Sequence, residues 1–268
     1  MADDIVLLSA NPFGDYAICA AELLARRGIR IRATYVRKLA NMGRLLQEAR
    51  SEGPVAFTRK VARKLVFRNA GGGKPEPSSL ASLKQNEAIA CSSLAEFARK
   101  HDAELTFCDT FDDAPVCEGI RTFKPKAVVF TGGGTLRTPV LEAIERRIIA
   151  CHPRWLPNYL GMNCLEWPVL EKRADWIGLS VFPADEGVDT GQILRVELID
   201  LPSGIQSFHG SRKGLEAPIC CLLVESAADY LAGDIAPIVQ EPAQGRQYFT
   251  MHNDIKLAAE RQLRIMAR

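Results

Sequence analysis

Two polar features of the sequence could perform acid–base chemistry together. His152 directly follows an apolar run over 148–151, and Asp189 lies in the acidic, glycine-punctuated loop 184–191. A carboxylate beside an imidazole fixes the tautomer of the ring and stabilises its protonated form. Such a pair transfers protons near neutral pH. The alternative for His152 alone is a structural histidine at the end of a strand.

The spacing of these two features sets an expectation about their geometry. They are separated by 37 residues, which we read as one helix and one strand. That is the length of one crossover unit between parallel strands, so the sequence predicts both groups side by side at one edge of a sheet.

The elements that must position the pair follow an alternating strand–helix pattern. Residues 5–8 are continuously apolar, as in a buried parallel strand, and 15–27 have helical spacing before Gly28. The same reasoning predicts further strands at 29–36, 104–108, 126–130, 147–151, 176–183 and 192–198. It predicts further helices at 93–101, 113–122, 139–146, 163–173, 215–232 and 254–267.

This pattern predicts an α/β fold, with a Rossmann-like, mostly parallel twisted sheet flanked by helices. Residues 1–207 form the predicted catalytic domain, with a basic helical insertion at about 37–75, and 208–268 form a helical extension packed on the same domain. Within 37–68, nine bases stand against two acids. This stretch is either a solvated helical excursion or an electrostatic patch for an anionic or phosphorylated substrate.

A glycine cluster follows the buried strand at 126–130. Gly132, Gly133 and Gly134 stand at the carboxyl end of that strand, where open α/β sheets bind ligands. The cluster matches neither GxGxxG nor GxxxxGK[ST], so it does not indicate a nucleotide site. The alternative is a tight turn without a ligand.

Composition excludes several other classes of protein. The 268 residues are 47% hydrophobic and 25% charged with a net charge of +2, so we expect no nucleic-acid partner. The acidic N-terminus and its short apolar run predict neither a signal peptide nor a membrane span, hence a cytoplasmic protein. Eight cysteines without metal-ligand spacing predict reduced thiols and no metal site. They are Cys19, Cys91, Cys108, Cys117, Cys151, Cys164, Cys220 and Cys221.

Two motifs in order, HPRWLPNYLGMN (152–163) and DEGVDTGQIL (185–194), resemble the folate-dependent formyltransferase family. That family includes methionyl-tRNA formyltransferase, glycinamide ribonucleotide formyltransferase and the sugar N-formyltransferases. Its usual motifs are N-x-H-x-x-x-L-P-x-Y-R-G and D-E-G-x-D-T-G. The resemblance runs from Ile5 to about Leu198 and implies the fold of the family's catalytic domain.

The resemblance also implies a reaction. An amine attacks the formyl carbon of 10-formyltetrahydrofolate, and an Asn, a His and an Asp stabilise the oxyanion and move protons. By position, His152 is the histidine and Asp189 is the aspartate. The residues implied in folate binding are Gly132, Gly133, Gly134, Asp185, Glu186, Gly187, Val188 and Gly191.

The chain departs from the family motif at two positions. Ala150 stands where the family has its asparagine, and Leu160 replaces the usual arginine. Alanine cannot polarise a formyl oxygen, and loss of one oxyanion donor costs about 10²–10³ in rate. Three accounts follow: another amide substitutes, the chemistry is altered, or the protein binds ligand without catalysis. Asn163 is the leading substitute, with Asn158 and Asn11 as alternatives.

The resemblance narrows the acceptor only by elimination. About 70 residues follow the motif region, too few for the C-terminal barrel of the tRNA enzyme, and residues 9–14 lack the glycine-rich phosphate loop of the glycinamide ribonucleotide enzyme. N-formyl transfer to the amine of a small metabolite remains, such as an amino sugar or a secondary-metabolite precursor. The alternatives are a non-catalytic relative and a formyltetrahydrofolate hydrolase, and the sequence leaves a homodimer open.

Overall fold

The computed structural model describes residues 4–38, 78–132, 136–145, 147–183, 192–201, 205–241 and 244–266. The chain divides into two compact units, one of residues 1–37 with 77–268 and one of residues 38–76. The predicted basic helices of the second unit lie outside the described residues. Everything below concerns the first unit.

A seven-stranded sheet forms the centre of this unit, in the order β3-β2-β1-β4-β5-β7-β8. The strands from β3 to β5 are parallel, whereas β7 runs antiparallel to β5 and β8 antiparallel to β7. Their bounds are β1 Asp4–Ser9, β2 Arg30–Arg37, β3 Glu104–Cys108, β4 Ala127–Phe130, β5 Ile148–His152, β7 Gly178–Pro183 and β8 Arg195–Leu198. The predicted mostly parallel α/β fold is confirmed.

Helices cover both faces of the sheet. Their bounds are α1 Asp15–Arg26, α2 Ser79–Asn86, α3 Leu94–His101, α4 Ala114–Phe123, α5 Thr138–Ala143, α6 Glu166–Leu170, α7 Phe208–Ala232 and α8 Asn253–Met266. A 3₁₀ turn, Ala174–Trp176, precedes β7. Within the described ranges, no helix is long and apolar enough to cross a membrane.

The apolar run of β1 explains this two-sided architecture. Ile5 and Leu7 pack with α1 and α7 on one face, while Val6 and Leu8 pack with α4 and α5 on the other. All four side chains are fully buried. Since successive residues of a strand point to opposite faces, a continuous apolar run requires helices on both sides.

Two helices differ from their predicted bounds for local reasons. The helix predicted at 163–173 shrinks to α6, because Asn163 and Lys172 adopt left-handed backbone with φ of 58° and 59°. The helix predicted from 215 begins at Phe208 instead. The Ser207 side chain accepts a hydrogen bond from the Gly210 amide, and Phe208 is buried. This capping bond starts the helix ahead of its periodic apolar residues.

A second, two-stranded sheet was not predicted. Strand β6 (Tyr159–Gly161) pairs in parallel with β9 (Arg246–Tyr248), so the chain's C-terminal part includes a strand as well as helices. Gly161 has a φ of 94°, and a Cβ there would lie 2.2 Å from the Tyr248 carbonyl oxygen. Only glycine therefore permits this approach of the two segments.

Candidate active site

His152 is the last residue of β5. Its side chain lies on the same face of the sheet as Ala150, because alternate residues of a strand share a face. On the neighbouring strand β7, Ser180 is the partner of His152 and Phe182 is the partner of Ala150. Directly opposed residues of antiparallel strands project to the same side. These four side chains therefore share one face.

The turn after β5 is fixed onto β7 by a single buried hydroxyl group. Ser180 Oγ donates to the Arg154 carbonyl at 2.8 Å and accepts from the Leu156 amide at 3.1 Å. The Arg154 amide also donates to the His152 carbonyl at 2.9 Å. Because both bonds of Ser180 are made by backbone groups, the segment that follows His152 is held in one conformation.

Phe182 lies near two polar side chains at the end of β5, those of His152 and Arg154. Its ring centroid lies 5.6 Å from that of His152, with an angle of 32° between the planes. The Arg154 guanidinium carbon lies 5.4 Å from the same centroid. This distance is within the range of a cation–π contact. An imidazole and a guanidinium are thus gathered at one aromatic ring.

Burial lowers the pKa of His152 to about 4, and the positive charge of Arg154 acts in the same direction. Both effects disfavour the protonated imidazole. At neutral pH the described surroundings therefore keep His152 uncharged and able to accept a proton. A carboxylate brought next to the ring would have the opposite effect on this pKa.

Cys151 adjoins His152 in sequence but belongs to the other face of the sheet. It packs with Ile149 in the core under α7. Burial raises the pKa of the Cys151 thiol, so the thiolate needed for nucleophilic attack is suppressed. Cys151 is a buried apolar residue in this fold, as the alternation of side chains along a strand predicts.

The crossover argument that placed Asp189 beside His152 is wrong. Strand β7 runs antiparallel to β5, so Pro183, the last described residue before the acidic loop, lies opposite Ile149 and not at the His152 end. Asp185, Glu186, Gly187, Val188, Asp189 and Gly191 lie outside the described residues. Five residues lie between Pro183 and Asp189, and the six residue steps can extend roughly 20 Å, which covers the length of β5. The pairing of Asp189 with His152 therefore stays a prediction.

Asn163, the predicted substitute for the missing asparagine, makes a structural contact. Its Oδ1 accepts a hydrogen bond from the Met251 amide at 2.9 Å. Its carbonyl accepts from Glu166 and Trp167 at the start of α6. This side chain thereby holds the C-terminal segment, and its part in catalysis stays a prediction. The alternative Asn11 uses its Oδ1 to accept from the Phe13 amide at 2.9 Å.

Gly132 follows β4 at the carboxyl edge of the sheet with a φ of 101°. A Cβ built there would meet no atom of the described residues within 4 Å. The preceding Thr131 is tied to the Leu8 carbonyl through both its amide and its hydroxyl, each at 2.9 Å. Gly133 and Gly134 lie outside the described residues, and their contact with folate stays a prediction.

The segment after the His152 corner is supported by a carboxylate shared between two tyrosines. Glu171 accepts from the Tyr159 hydroxyl at 2.6 Å and from the Tyr248 hydroxyl at 2.9 Å. The two tyrosine rings stack with centroids 5.0 Å apart. Since Tyr159 belongs to β6 and Tyr248 to β9, this contact joins the motif segment to the C-terminal part of the chain.

The sequence analysis did not identify Arg154, Ser180 or Phe182 as neighbours of His152. Arg154 could have been identified from the sequence, since it is a charged residue two positions after His152 in a proline-bounded turn. Ser180 and Phe182 carried none, because their proximity depends on the antiparallel register of β7 against β5.

Comparisons with known proteins agree with this architecture. Residues 84–203 match the family model described as "Formyl transferase". A methionyl-tRNA formyltransferase of Anaeromyxobacter dehalogenans is 28% identical over 153 residues, which cover 55% of this chain and 47% of that protein. The chain therefore matches about half the length of this curated relative.

Two solved structures have the same fold. Glycinamide ribonucleotide transformylase 1 from Symbiobacterium toebii superposes with a TM-score of 0.56 at 17% identity, covering 89% of this chain and 95% of that one. The sugar 3N-formyl transferase WlaRD, solved in the presence of dTDP and 5-N-formyl-tetrahydrofolate, gives 0.54 at 11% identity, covering 97% and 78%. At these identities the likeness concerns the fold. Residues 84–203 of this chain are thus similar in sequence to the formyl transferase family, and the chain shares the fold of these solved formyltransferases.

Proposed function

We propose that this protein transfers a formyl group from 10-formyltetrahydrofolate to the amine of a small metabolite, such as an amino sugar or a secondary-metabolite precursor. The observation that carries the proposal is the placement of His152. It ends β5 inside the family-matched region, is half-buried, and contacts the same Phe182 ring as the Arg154 guanidinium.

His152 is uncharged at neutral pH, and as a base with a pKa of about 4 it needs a carboxylate beside it to accept a proton efficiently. A pKa of about 4, set by burial and by Arg154, leaves the imidazole uncharged at neutral pH. An uncharged imidazole accepts the proton that the attacking amine must lose. We propose that Asp189, on the loop that follows β7, orients the ring and stabilises its protonated form.

The residues at the carboxyl edge of the sheet are of types that can bind a formyl donor. Among the described residues no atom lies within 4 Å of a Cβ built on Gly132, and the missing side chain lets a planar ligand approach the backbone. We assign the donor to Gly132, Gly133 and Gly134 and to the loop of Asp185, Glu186, Gly187, Val188 and Gly191. WlaRD was solved with a formylated tetrahydrofolate, which supports this class of donor.

The proposed transfer balances without any oxidant or reductant. A bond forms between the acceptor nitrogen and the formyl carbon, and the bond from that carbon to the donor nitrogen breaks. The acceptor nitrogen loses one proton and the donor nitrogen gains one. His152 can take the first and return the second, so one group serves both halves of the reaction.

We propose the acceptor only as a chemical class, an amine that carries negative charge. Basic residues are concentrated in 37–68, and Arg37 at the end of β2 begins this stretch at the carboxyl edge of the sheet. A negatively charged or phosphorylated amine would be attracted to such a segment. A sugar N-formyltransferase among the solved structures of this fold supports an amino-sugar acceptor.

One observation favours a second candidate, a relative that binds folate without catalysis. Ala150 is buried in an apolar cluster, so an alanine methyl group stands at the position where the related enzymes have a hydrogen-bond donor. A site that lost its donor would retain binding and lose rate.

The deciding experiment incubates the purified protein with 10-formyltetrahydrofolate and a panel of amines. The panel contains a free amino sugar, its phosphate, a nucleotide-linked amino sugar and a blank without amine. We expect tetrahydrofolate release that depends on an amine, with a product 28 Da heavier, as follows from replacing hydrogen by formyl. Release in the blank would indicate a hydrolase, and folate binding without release would indicate the binding protein.

A further inference from the structure

The reaction proposed above needs a donor for the formyl oxygen, and Ala150 has none to offer. Negative charge develops on that oxygen as the acceptor attacks, and preorganised donors stabilise it. Ala150 is only 2% exposed and packs in an apolar cluster with Ile148 and Val140. The packing at this point is apolar, so we look for the donor among the other residues near His152.

Arg154 is placed at the same corner by contacts of its backbone. Its amide donates to the His152 carbonyl, and its carbonyl accepts from the buried Ser180 hydroxyl. The guanidinium carbon lies 5.4 Å from the centroid of Phe182, the ring that His152 also contacts. The cation and the imidazole are therefore grouped by a strand and a turn that both resist displacement.

The surroundings of Arg154 increase the effect of its charge. The side chain is half-buried over an aromatic ring, and burial lowers the pKa of its guanidinium. In such surroundings a positive charge interacts more strongly with a developing anion than it does in water. A guanidinium stays protonated in proteins, and it presents five N–H donors in a planar array.

We infer that Arg154 is a catalytic residue that donates hydrogen bonds to the formyl oxygen and thereby replaces the amide that Ala150 lacks. This inference rests on the proposed function. Two groups then have separate roles: Arg154 stabilises the formyl oxygen, and the uncharged His152 accepts and returns the proton.

The first test compares turnover in Arg154→Ala, Arg154→Lys and the wild type. We expect kcat to fall about 10²–10³-fold in Arg154→Ala, the usual cost of one oxyanion donor, and less in Arg154→Lys, which keeps the charge. Added guanidinium at millimolar concentration should restore part of the activity of Arg154→Ala. A structural role alone would not respond to guanidinium.

The matched control is Arg173→Ala. Arg173 also places a guanidinium on an aromatic ring, 3.3 Å from the Trp176 centroid, but it belongs to the turn before β7. We expect its turnover to stay within about twofold of the wild type, as for surface substitutions away from a site. Thermal unfolding identifies any variant that fails to fold, and Arg154→Gln then replaces Arg154→Ala. Turnover of the Arg154 variants within threefold of the wild type, without a guanidinium response, would overturn the inference.

A second test does not require turnover and separates this inference from the proposed function. Binding of 10-formyltetrahydrofolate, without any amine, and of tetrahydrofolate is measured for the wild type and for Arg154→Ala by calorimetry. If Arg154 contacts the formyl oxygen, the substitution weakens binding of the formylated ligand about tenfold and leaves binding of tetrahydrofolate unchanged, because a charged hydrogen bond to the formyl oxygen is lost.

Equal effects on both ligands would overturn the assignment of Arg154. A wild type that discriminates the two ligands through Arg154 but never transfers formyl would refute the proposed function alone. A wild type that binds neither ligand would refute both.

Discussion

Glu22 is a buried ionisable group and His152 a half-buried one, yet their neighbours act on them in opposite ways. Glu22 on α1 accepts from Lys100 at 3.0 Å through both carboxylate oxygens and from the Cys91 thiol at 2.9 Å. His152 instead lies beside the like charge of Arg154 and the ring of Phe182. One region stabilises the ionised form of its group, and the other suppresses it.

The consequences appear in the two pKa values. Burial alone would raise the pKa of Glu22, but the hydrogen bonds from Cys91 and Lys100 and the charges of Lys100 and His101 hold it below its ordinary value. Burial and Arg154 together lower the pKa of His152 to about 4. A paired charge serves stability, whereas a group kept from its charge is available for proton transfer.

The largest expected effect separates activity from stability. His152→Gln should lower kcat about 10²–10⁴-fold, the usual contribution of a general base, with little change in thermal unfolding at pH 7.5. The matched control is His101→Gln, since His101 lies 3.5 Å from Glu22 and stacks on Phe97. It should retain turnover. Full activity in His152→Gln would place the chemistry elsewhere.

The second prediction concerns stability against pH. The pKa of His152 in the folded protein, about 4, lies below the ordinary value of about 6.5. As pH falls through 6.5, the unfolded chain binds this proton first, so His152 lowers the free energy of unfolding between pH 6.5 and 4. The difference reaches up to about 3 kcal/mol at the acid end. Urea unfolding of the wild type and His152→Gln should diverge over this range and agree above it. Parallel curves would contradict the buried, uncharged imidazole.

Glu22 should show the contrasting behaviour. Glu22→Gln removes a buried carboxylate from its two donors and should cost roughly 1–3 kcal/mol of unfolding free energy at pH 7, because charged hydrogen bonds are lost. The lowered pKa of Glu22 means that this stability is present above the ordinary carboxylate pKa and disappears as pH falls through the folded value. Urea unfolding measures both, and kcat should be unaffected. A loss of turnover without a loss of stability would contradict the contrast.

The smallest expected effect tests whether the Asp189 carboxylate lies beside the His152 ring. A carboxylate near the imidazole would raise the pKa of His152 above about 4, the value set by the described surroundings. Proton NMR titration of His152 should then show a lower pKa in Asp189→Asn than in the wild type. Asp185→Asn, four residues earlier on the same loop, is the control and should leave the pKa of His152 unchanged. Identical titrations for all three proteins would remove Asp189 from the pair.

Several elements followed directly from residue patterns. The apolar run of β1 and the helical spacing of α1 ahead of Gly28 were found within one or two residues of their predicted bounds. Burial on both faces and the capping geometry determine these segments locally. The start of α7 was missed by seven residues, because it depends on the Ser207 cap and the burial of Phe208 against distant residues.

The residues of the candidate site also divide into those that the sequence identified and those that only the structure identified. Its histidine could be identified from the sequence, since an imidazole at the end of an apolar strand is visible in the order of residues. Its immediate neighbours could not, because Ser180 and Phe182 reach His152 only through the antiparallel register of β7. The expected crossover geometry failed for the same reason, since strand direction is set by pairing with a neighbour and not by the strand's own residues.

By itself, the sequence determined the α/β class, the strand that ends at His152, and the absence of a polar side chain at Ala150. The order of apolar and polar residues carries that information, because burial and backbone propensity act along the chain. Only the tertiary structure decided that Phe182 is the strand partner of Ala150, that Ser180 bonds the turn, and that Arg154 lies by the ring contacted by His152. Those contacts join residues far apart in the chain, and their distances exist only once the strands have paired.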